Sequence, residues 1–296
     1  MERLSQFVLN ADRRIIYAVI ALCVIGPLLF PLGLPFTPTT EVKKCFEDIE
    51  KLPPGSAIVI GTDYGPDSAP ETQPMLVALL HQCFQKKLRP ILIALTPAGD
   101  QMAQLGLKDV LATEDPQTKQ PVYQGLENGK DYSLLGYQSG TQAIILALTS
   151  SFTKTYPNDK DGNPTANQPI FQDIRKLSDV KYIVDIAAVA MPEVWLVYGS
   201  ARVGVPMSTS CTAVSAAQYY PYYHAGQFHG LIGGMKGSAE YEKLVGVATI
   251  TGKIPNATKG MDSQSLVHIF LVLTIIVVNL VYLLDRRRQR AGGRAA

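Results

Sequence analysis

The sequence has no Cys-x-x-Cys pair and no cysteine–histidine spacing of the kind that holds zinc, so a structural zinc site is not expected. Its four cysteines, Cys23, Cys45, Cys83 and Cys211, follow no spaced framework. Cys23 falls inside an apolar run. The other three are either buried thiols or, in an oxidising compartment, include one disulfide. Charge is also scarce, at 18% of residues, and its basic excess belongs to the ends. Residues 35–265 hold 19 Lys/Arg and 22 Asp/Glu, a net of −3. A middle of that sign has no electrostatic footprint for nucleic acid.

Catalytic signatures are missing as well. Gly136-Tyr137-Gln138-Ser139-Gly140 places its serine one position late for a nucleophile elbow. In Gly233-Gly234-Met235-Lys236-Gly237-Ser238 a glycine separates lysine from serine, so this is no phosphate-binding P-loop. No Gly-x-Gly-x-x-Gly follows the first predicted strand. His224 and His229 are five apart, out of register for one metal on a helix face. Cys211 and His224 lack a third, orienting group. Asp159-Lys160-Asp161-Gly162-Asn163 has the look of a calcium loop, but the first and twelfth ligand positions would be Pro157 and Gln168. It reads as a turn. No metal and no cofactor is expected.

What is present begins with two apolar runs. Residues 15–34 carry no charge, and ~20 residues at ~1.5 Å each cover ~30 Å of hydrocarbon. Pro27 and Pro31 imply a kinked or early-ending helix. A cleaved signal peptide is the alternative, although the run exceeds a usual h-region and Phe36-Thr37-Pro38 lacks a small-x-small site. Residues 266–284 form the second run, in which Asn279 either pairs helices or is held within its own helix. Arg13 and Arg14 precede the first run; Arg286, Arg287, Arg288 and Arg290 follow the second. Positive flanks stay cytoplasmic. The expected order is a cytoplasmic N-terminus (1–14), a transmembrane helix (15–34), an extracytoplasmic domain (35–264), a second transmembrane helix (265–285) and a basic cytoplasmic tail (286–296).

About 230 residues in the middle suffice for one sizeable domain. A helix is predicted at 41–51. Apolar runs at 57–60, 90–95, 132–135, 182–186 and 205–208 alternate with helical stretches near 72–87, 141–153 and 192–203, and 246–254 resembles a last short strand. Continuous runs such as Ile58-Val59-Ile60 suit strands covered on both faces. The alternation predicts an α/β fold: a single, mostly parallel, doubly wound sheet of five or six strands, flanked by the two transmembrane helices. Residues 114–130 and 156–168 read as surface loops.

Ligands of open α/β sheets bind beyond the strands' carboxyl ends. That rule selects Asp63 and Asp67 after the first strand, Ser139 and Thr141 after the third, and Asp185 with Glu193 at the fourth. Turn and cap duties are the alternative for most of them. Asp185 is the least ordinary, because an unpaired carboxylate is costly inside an apolar strand. Separately, Tyr219, Tyr220, Tyr222 and Tyr223 surround one proline. Gly230/Gly234 and Gly233/Gly237 are each four apart, which on one helix would make flat strips for a close partner. An interface and a tight contact inside the domain are equally consistent with them.

No family resemblance emerges. The sequence favours a noncatalytic, membrane-anchored scaffold in contact with the bilayer, self-associating or docked to a membrane-protein partner, with no nucleic-acid partner. A binding or sensor domain for a small polar ligand comes second. A membrane-bound hydrolase or transferase comes third.

Overall fold

The computed structural model describes residues 12–292. The chain divides into a compact unit, Pro35–Thr258, and a helical unit formed by Met1–Leu34 with Lys259–Ala296.

In the helical unit, α1 spans Arg13–Leu29, with the Asp12 carboxylate accepting the Arg14 N–H at its start. It ends sooner than the apolar run, as Pro31 requires, and its 17 residues fall short of the 20 expected. Among the described residues one helix, at the end of the chain, is long and apolar enough to cross a membrane, over Asn256–Leu284 with mean hydropathy 2.6. The expectation of two such helices is therefore met by one. Beyond α1 the freed backbone N–H groups of Leu32, Gly33 and Leu34 all donate to the Asp262 carboxylate, at 2.8, 2.8 and 3.0 Å. Ser263 Oγ donates to the Val24 carbonyl at 2.9 Å. Asn279 donates to Ile275 within its own helix.

The compact unit opens with α2 (Thr40–Glu50), whose Val42, Cys45 and Ile49 recur at helical spacing and are buried. A sheet of six parallel strands follows, in the order β3-β2-β1-β4-β5-β6. The strands are β1 (Ala57–Asp63), β2 (Arg89–Ala94), β3 (Ser133–Tyr137), β4 (Tyr182–Ala187), β5 (Met207–Cys211) and β6 (Gly230–Gly233). All of β1 and β4 is buried, which is why those segments are apolar without alternation. Helices α3 (Ala69–Gln85) and α4 (Pro97–Leu111) connect β1 to β2 and β2 to β3; α5 (Thr141–Leu148) follows β3. Residues Met191–Val194, the π-helical Trp195–Ser200 and Ala201–Val203 connect β4 to β5. Then come α6 (Ala213–His224), α7 (Gly234–Val245), α8 (Val247–Thr251) and α9 (Asn256–Gly292).

One buried layer gathers Cys45, Met75, Leu79, Met102 and Tyr241 against Ile58, Ile60 and Val184. The opposite layer gathers Ile145, Phe152, Trp195 and Tyr219 against Val59, Ile91 and Ile183. The doubly wound arrangement expected from the alternation is present. Two elements differ. Residues 246–254, expected to be a strand, contain α8, and the sixth strand lies earlier, at β6. Helix α4 was not anticipated, although Thr96 caps Gly99 and Pro97 opens the first turn.

Two glutamates of α7 hold the edges of this unit. Glu240, fully buried, accepts from the backbone N–H and hydroxyl of Thr39 at 2.9 and 2.7 Å and pairs with Lys236. Glu242 accepts from the backbone N–H groups of Ala257 and Thr258, each at 3.1 Å, at the start of α9. Each carboxylate serves a helix N-terminus from outside its own helix, where free N–H groups favour negative charge.

Candidate functional site

The strand order reverses direction between β1 and β4, and that crevice is where open α/β sheets place ligands. Asp185 pairs in register with Gly61, and Ala187 with Asp63, so both aspartates lie on one face, one step apart. Both are fully buried. Asp63 Oδ1 accepts the Leu95 N–H at 2.7 Å, and Oδ2 accepts the Trp195 indole N–H at 3.3 Å. Neither oxygen of Asp185 meets an N–H or hydroxyl donor.

Burial pushes Asp63 up to about 6, against the lowering effect of its bonds from Leu95 and Trp195. Burial, then the charge and hydrogen bond of Asp63, raise Asp185 well above the usual carboxylate range. Gly61 leaves room for the Asp185 side chain: a Cβ there would stand 2.5 Å from Asp185 Oδ1 and 3.0 Å from Trp195 Nε1.

A cleft of ≈ 710 Å³ lies beyond the end of β3, walled by the start of α4 and by residues 156–160. Tyr156 lines it, and burial, with the charge of Asp63, raises its phenol above the ordinary range. Asp100, on the first turn of α4, pairs through Oδ2 with Lys160 Nζ at 2.5 Å. Three buried oxygens of the lining, Asp100 Oδ1, Gln138 Oε1 and the Tyr156 hydroxyl, meet no protein partner. Buried polar atoms are nearly always bonded, and each left unmade costs about 1–3 kcal/mol. All three atoms are themselves closed to solvent, so they lie behind the surface of the cleft.

The aspartates expected at the strand ends, Asp63 and Asp185, are thus brought together. Asp67 is exposed in the loop after β1, and Ser139 is exposed beyond β3. Thr141 begins α5 behind Gly140, whose φ of 113° only glycine adopts readily. Glu193 accepts a hydrogen bond from the Tyr222 hydroxyl at 3.3 Å. Tyr219 is buried edge-on against Phe228, and Tyr220 bonds Glu41, while Tyr223 is half-buried beside His224.

The four glycines do not share a helix. Gly230 and Gly233 belong to β6, and Gly234 and Gly237 to α7. Added Cβ atoms would meet Cys45, Ala216, Ala213 and Ile232, respectively, at 3.0 Å or less. They make the tight contact inside the domain. The 159–163 segment is a turn, in which Asp159 Oδ1 accepts the N–H groups of Asp161 and Asn163. Cys23, Cys45, Cys83 and Cys211 are all free thiols. Burial pushes Cys45 up to about 12, which removes it as a nucleophile at neutral pH. Among the described residues no group of His, Cys, Asp and Glu is placed to hold a metal.

Sequence reading missed Asp100, Gln138, Tyr156, Lys160 and Trp195. Asp100 had a local signal, the Thr96-Pro97 helix start with an acid in its first turn. Tyr156 and Lys160 had none, because they reach the cleft from a long connection. No protein-family model, curated protein or solved structure matches the chain.

Proposed function

We propose that this chain is a membrane-anchored domain that binds a small polar ligand in the cleft between β3 and α4. The observation that carries the proposal is the cleft itself, whose lining includes the polar side chains of Asp100, Gln101, Gln104, Gln138, Asn158 and Lys160. A volume of ≈ 710 Å³ lies in the range of small-molecule sites, roughly 300–1,000 Å³. Binding rather than catalysis is favoured because the acid–base pair, Asp63 and Asp185, is sealed at 0% exposure. A substrate atom would have to come within ~3 Å of either carboxylate.

The membrane part of the proposal keeps two crossings, with both chain ends in the cytoplasm and the domain outside. Its supports are the arginines flanking both apolar runs and the Asp262 clamp that pairs their helices. Protease added to intact cells should digest residues 35–258; full protection would contradict this topology.

The ligand proposal is tested by thermal unfolding against sugars, polyamines, amino acids and inorganic phosphate. At least one compound should raise the melting temperature of the wild type and leave Asp100→Ala unmoved. Silence across the panel, or an equal shift in a folded Asp100→Ala protein, would contradict it.

A self-associating scaffold is the second reading. It draws on α6, where Val214 is 91% exposed and Tyr220 is also exposed. Light scattering of the detergent-solubilised chain decides it: a strict monomer at all concentrations removes that reading.

A further inference from the structure

We infer that the connection between β4 and β5, residues 191–203, is a pH-sensitive latch: Trp195 closes the crevice over Asp63 and Asp185 while Asp185 is protonated, and swings out when Asp185 ionises. The two carboxylates are unequally provided for. Asp63 has its donors, the Leu95 N–H and the Trp195 indole N–H. Asp185 is fully buried in β4, and neither of its oxygens meets a donor. An ionised carboxylate without donors in an apolar interior is costly, and its protonated form costs far less. Burial, then the Asp63 charge, accordingly raise Asp185 well above the usual carboxylate range. The other titratable groups that feel the pair are Tyr156 in the 156–160 segment, Cys211 at the end of β5 and Tyr219 on α6, with Glu71 acting on Cys211 and Glu193 on Tyr219. None of these is a cation that could hold the second negative charge.

Ionised Asp185 needs water, and its cover decides which part yields. β1 and β4 are central strands paired on both sides, so the sheet itself does not part. Trp195 packs beside Asp185 over Gly61, where an added Cβ would touch both side chains. Its indole N–H is tied to the pair by the 3.3 Å bond to Asp63. Trp195 also begins a π-helical turn, Trp195–Ser200, a form that occurs mostly as single turns at functional sites. Exposed Val189 and Ala190 precede the segment, and Gly204, at φ 74°, follows it. Such positions absorb the backbone rotation of a hinge. The closed form holds the Asp185 proton more tightly than a hydrated carboxyl does, so acid favours closure and rising pH favours opening. Asp63 titrates first, at about 6, which places opening above that pH. Beyond its midpoint the open form gains about tenfold per pH unit.

Trp195 is the chain's only tryptophan, so its fluorescence reports this place alone. Emission and acrylamide quenching of the purified full chain in detergent are followed from pH 5 to pH 9, with far-ultraviolet circular dichroism at each step. Quenching should rise about threefold or more above pH 6, reversibly and with the dichroism unchanged. Asp185→Asn should keep the low-pH quenching throughout. Asp63→Asn, which removes the neighbouring charge, should move the midpoint down by about one pH unit or more. If Asp185→Asn does not fold, the Asp63→Asn midpoint decides. Quenching that stays flat in the wild type, rises equally in folded Asp185→Asn, or rises only as the dichroism is lost would overturn the latch. A midpoint unmoved or raised in Asp63→Asn would overturn it as well.

Discussion

Asp185 stands one step from Asp63 on the same face of the sheet, and both carboxylates are fully buried between neighbouring strands. Asp63 has a folded pKa raised to about 6 from 3.8, so its native form binds a proton more tightly than the unfolded chain does. Stability from this source is complete below about pH 4 and declines as pH rises through 6. At about 1.4 kcal/mol per unit, the loss is on the order of 3 kcal/mol. Asp185 is raised further still by burial and by the Asp63 charge, and Asp185→Asn removes that titration while keeping the shape. It should be more stable than wild type at pH 8, with the difference shrinking toward pH 4. Urea unfolding at both pH values checks this; a difference that grows toward acid would contradict it.

Gly99 sits where α4 meets β1. A Cβ there would lie 1.7 Å from the Thr62 carbonyl oxygen, a backbone atom with nowhere to retreat. Gly99→Ala should cost more than about 3 kcal/mol, through displacement of the helix that carries Asp100. Denaturant unfolding measures it, and a loss under 1 kcal/mol would show that the helix start yields.

Glu240 is buried with no exposure, and its oxygens serve Thr39 and Lys236. Truncation leaves the first turn of α2 without its acceptor. Glu240→Ala should destabilise by about 2–4 kcal/mol, while Glu240→Gln, which keeps one acceptor oxygen, should lose roughly half as much. Equal losses in the two variants would mean that charge, not the bonds to Thr39, is what matters.

Asp262 receives three consecutive backbone N–H groups from the segment after α1. Asp262→Ala should loosen that segment and speed hydrogen exchange at Leu32, Gly33 and Leu34 by tenfold or more, because the bonds that protect those N–H groups are lost. Unchanged exchange in detergent would show that the clamp is dispensable.

The sheet was legible because β1 to β4 each contain a short apolar run, such as Ile58-Val59-Ile60, separated by helix-length intervals, whereas β5 (Met-Ser-Thr-Ser-Cys) was only touched by the run expected at 205–208. β6 was not, since Gly-Leu-Ile-Gly holds only two apolar residues and its glycines suggested a helix surface. Those glycines are small because Cys45 and Ser208 press on Gly230, a long-range contact with no local signature. Helix α4 was hidden by the glycine and polar residues of its first turn. Within the site, Asp63 and Asp185 stood out as carboxylates at or in buried strands. Asp100, Tyr156 and Lys160 converge from separate connections, so only the fold assembles them.

The central claim is that the cleft between β3 and α4 holds a small polar ligand. A crystal structure of the full chain with the tightest-binding compound from the polar panel tests it most directly. The compound should lie between β3 and α4, hydrogen-bonded to polar side chains of the lining such as Gln101, Asn158 or Lys160. A compound seated elsewhere would contradict it.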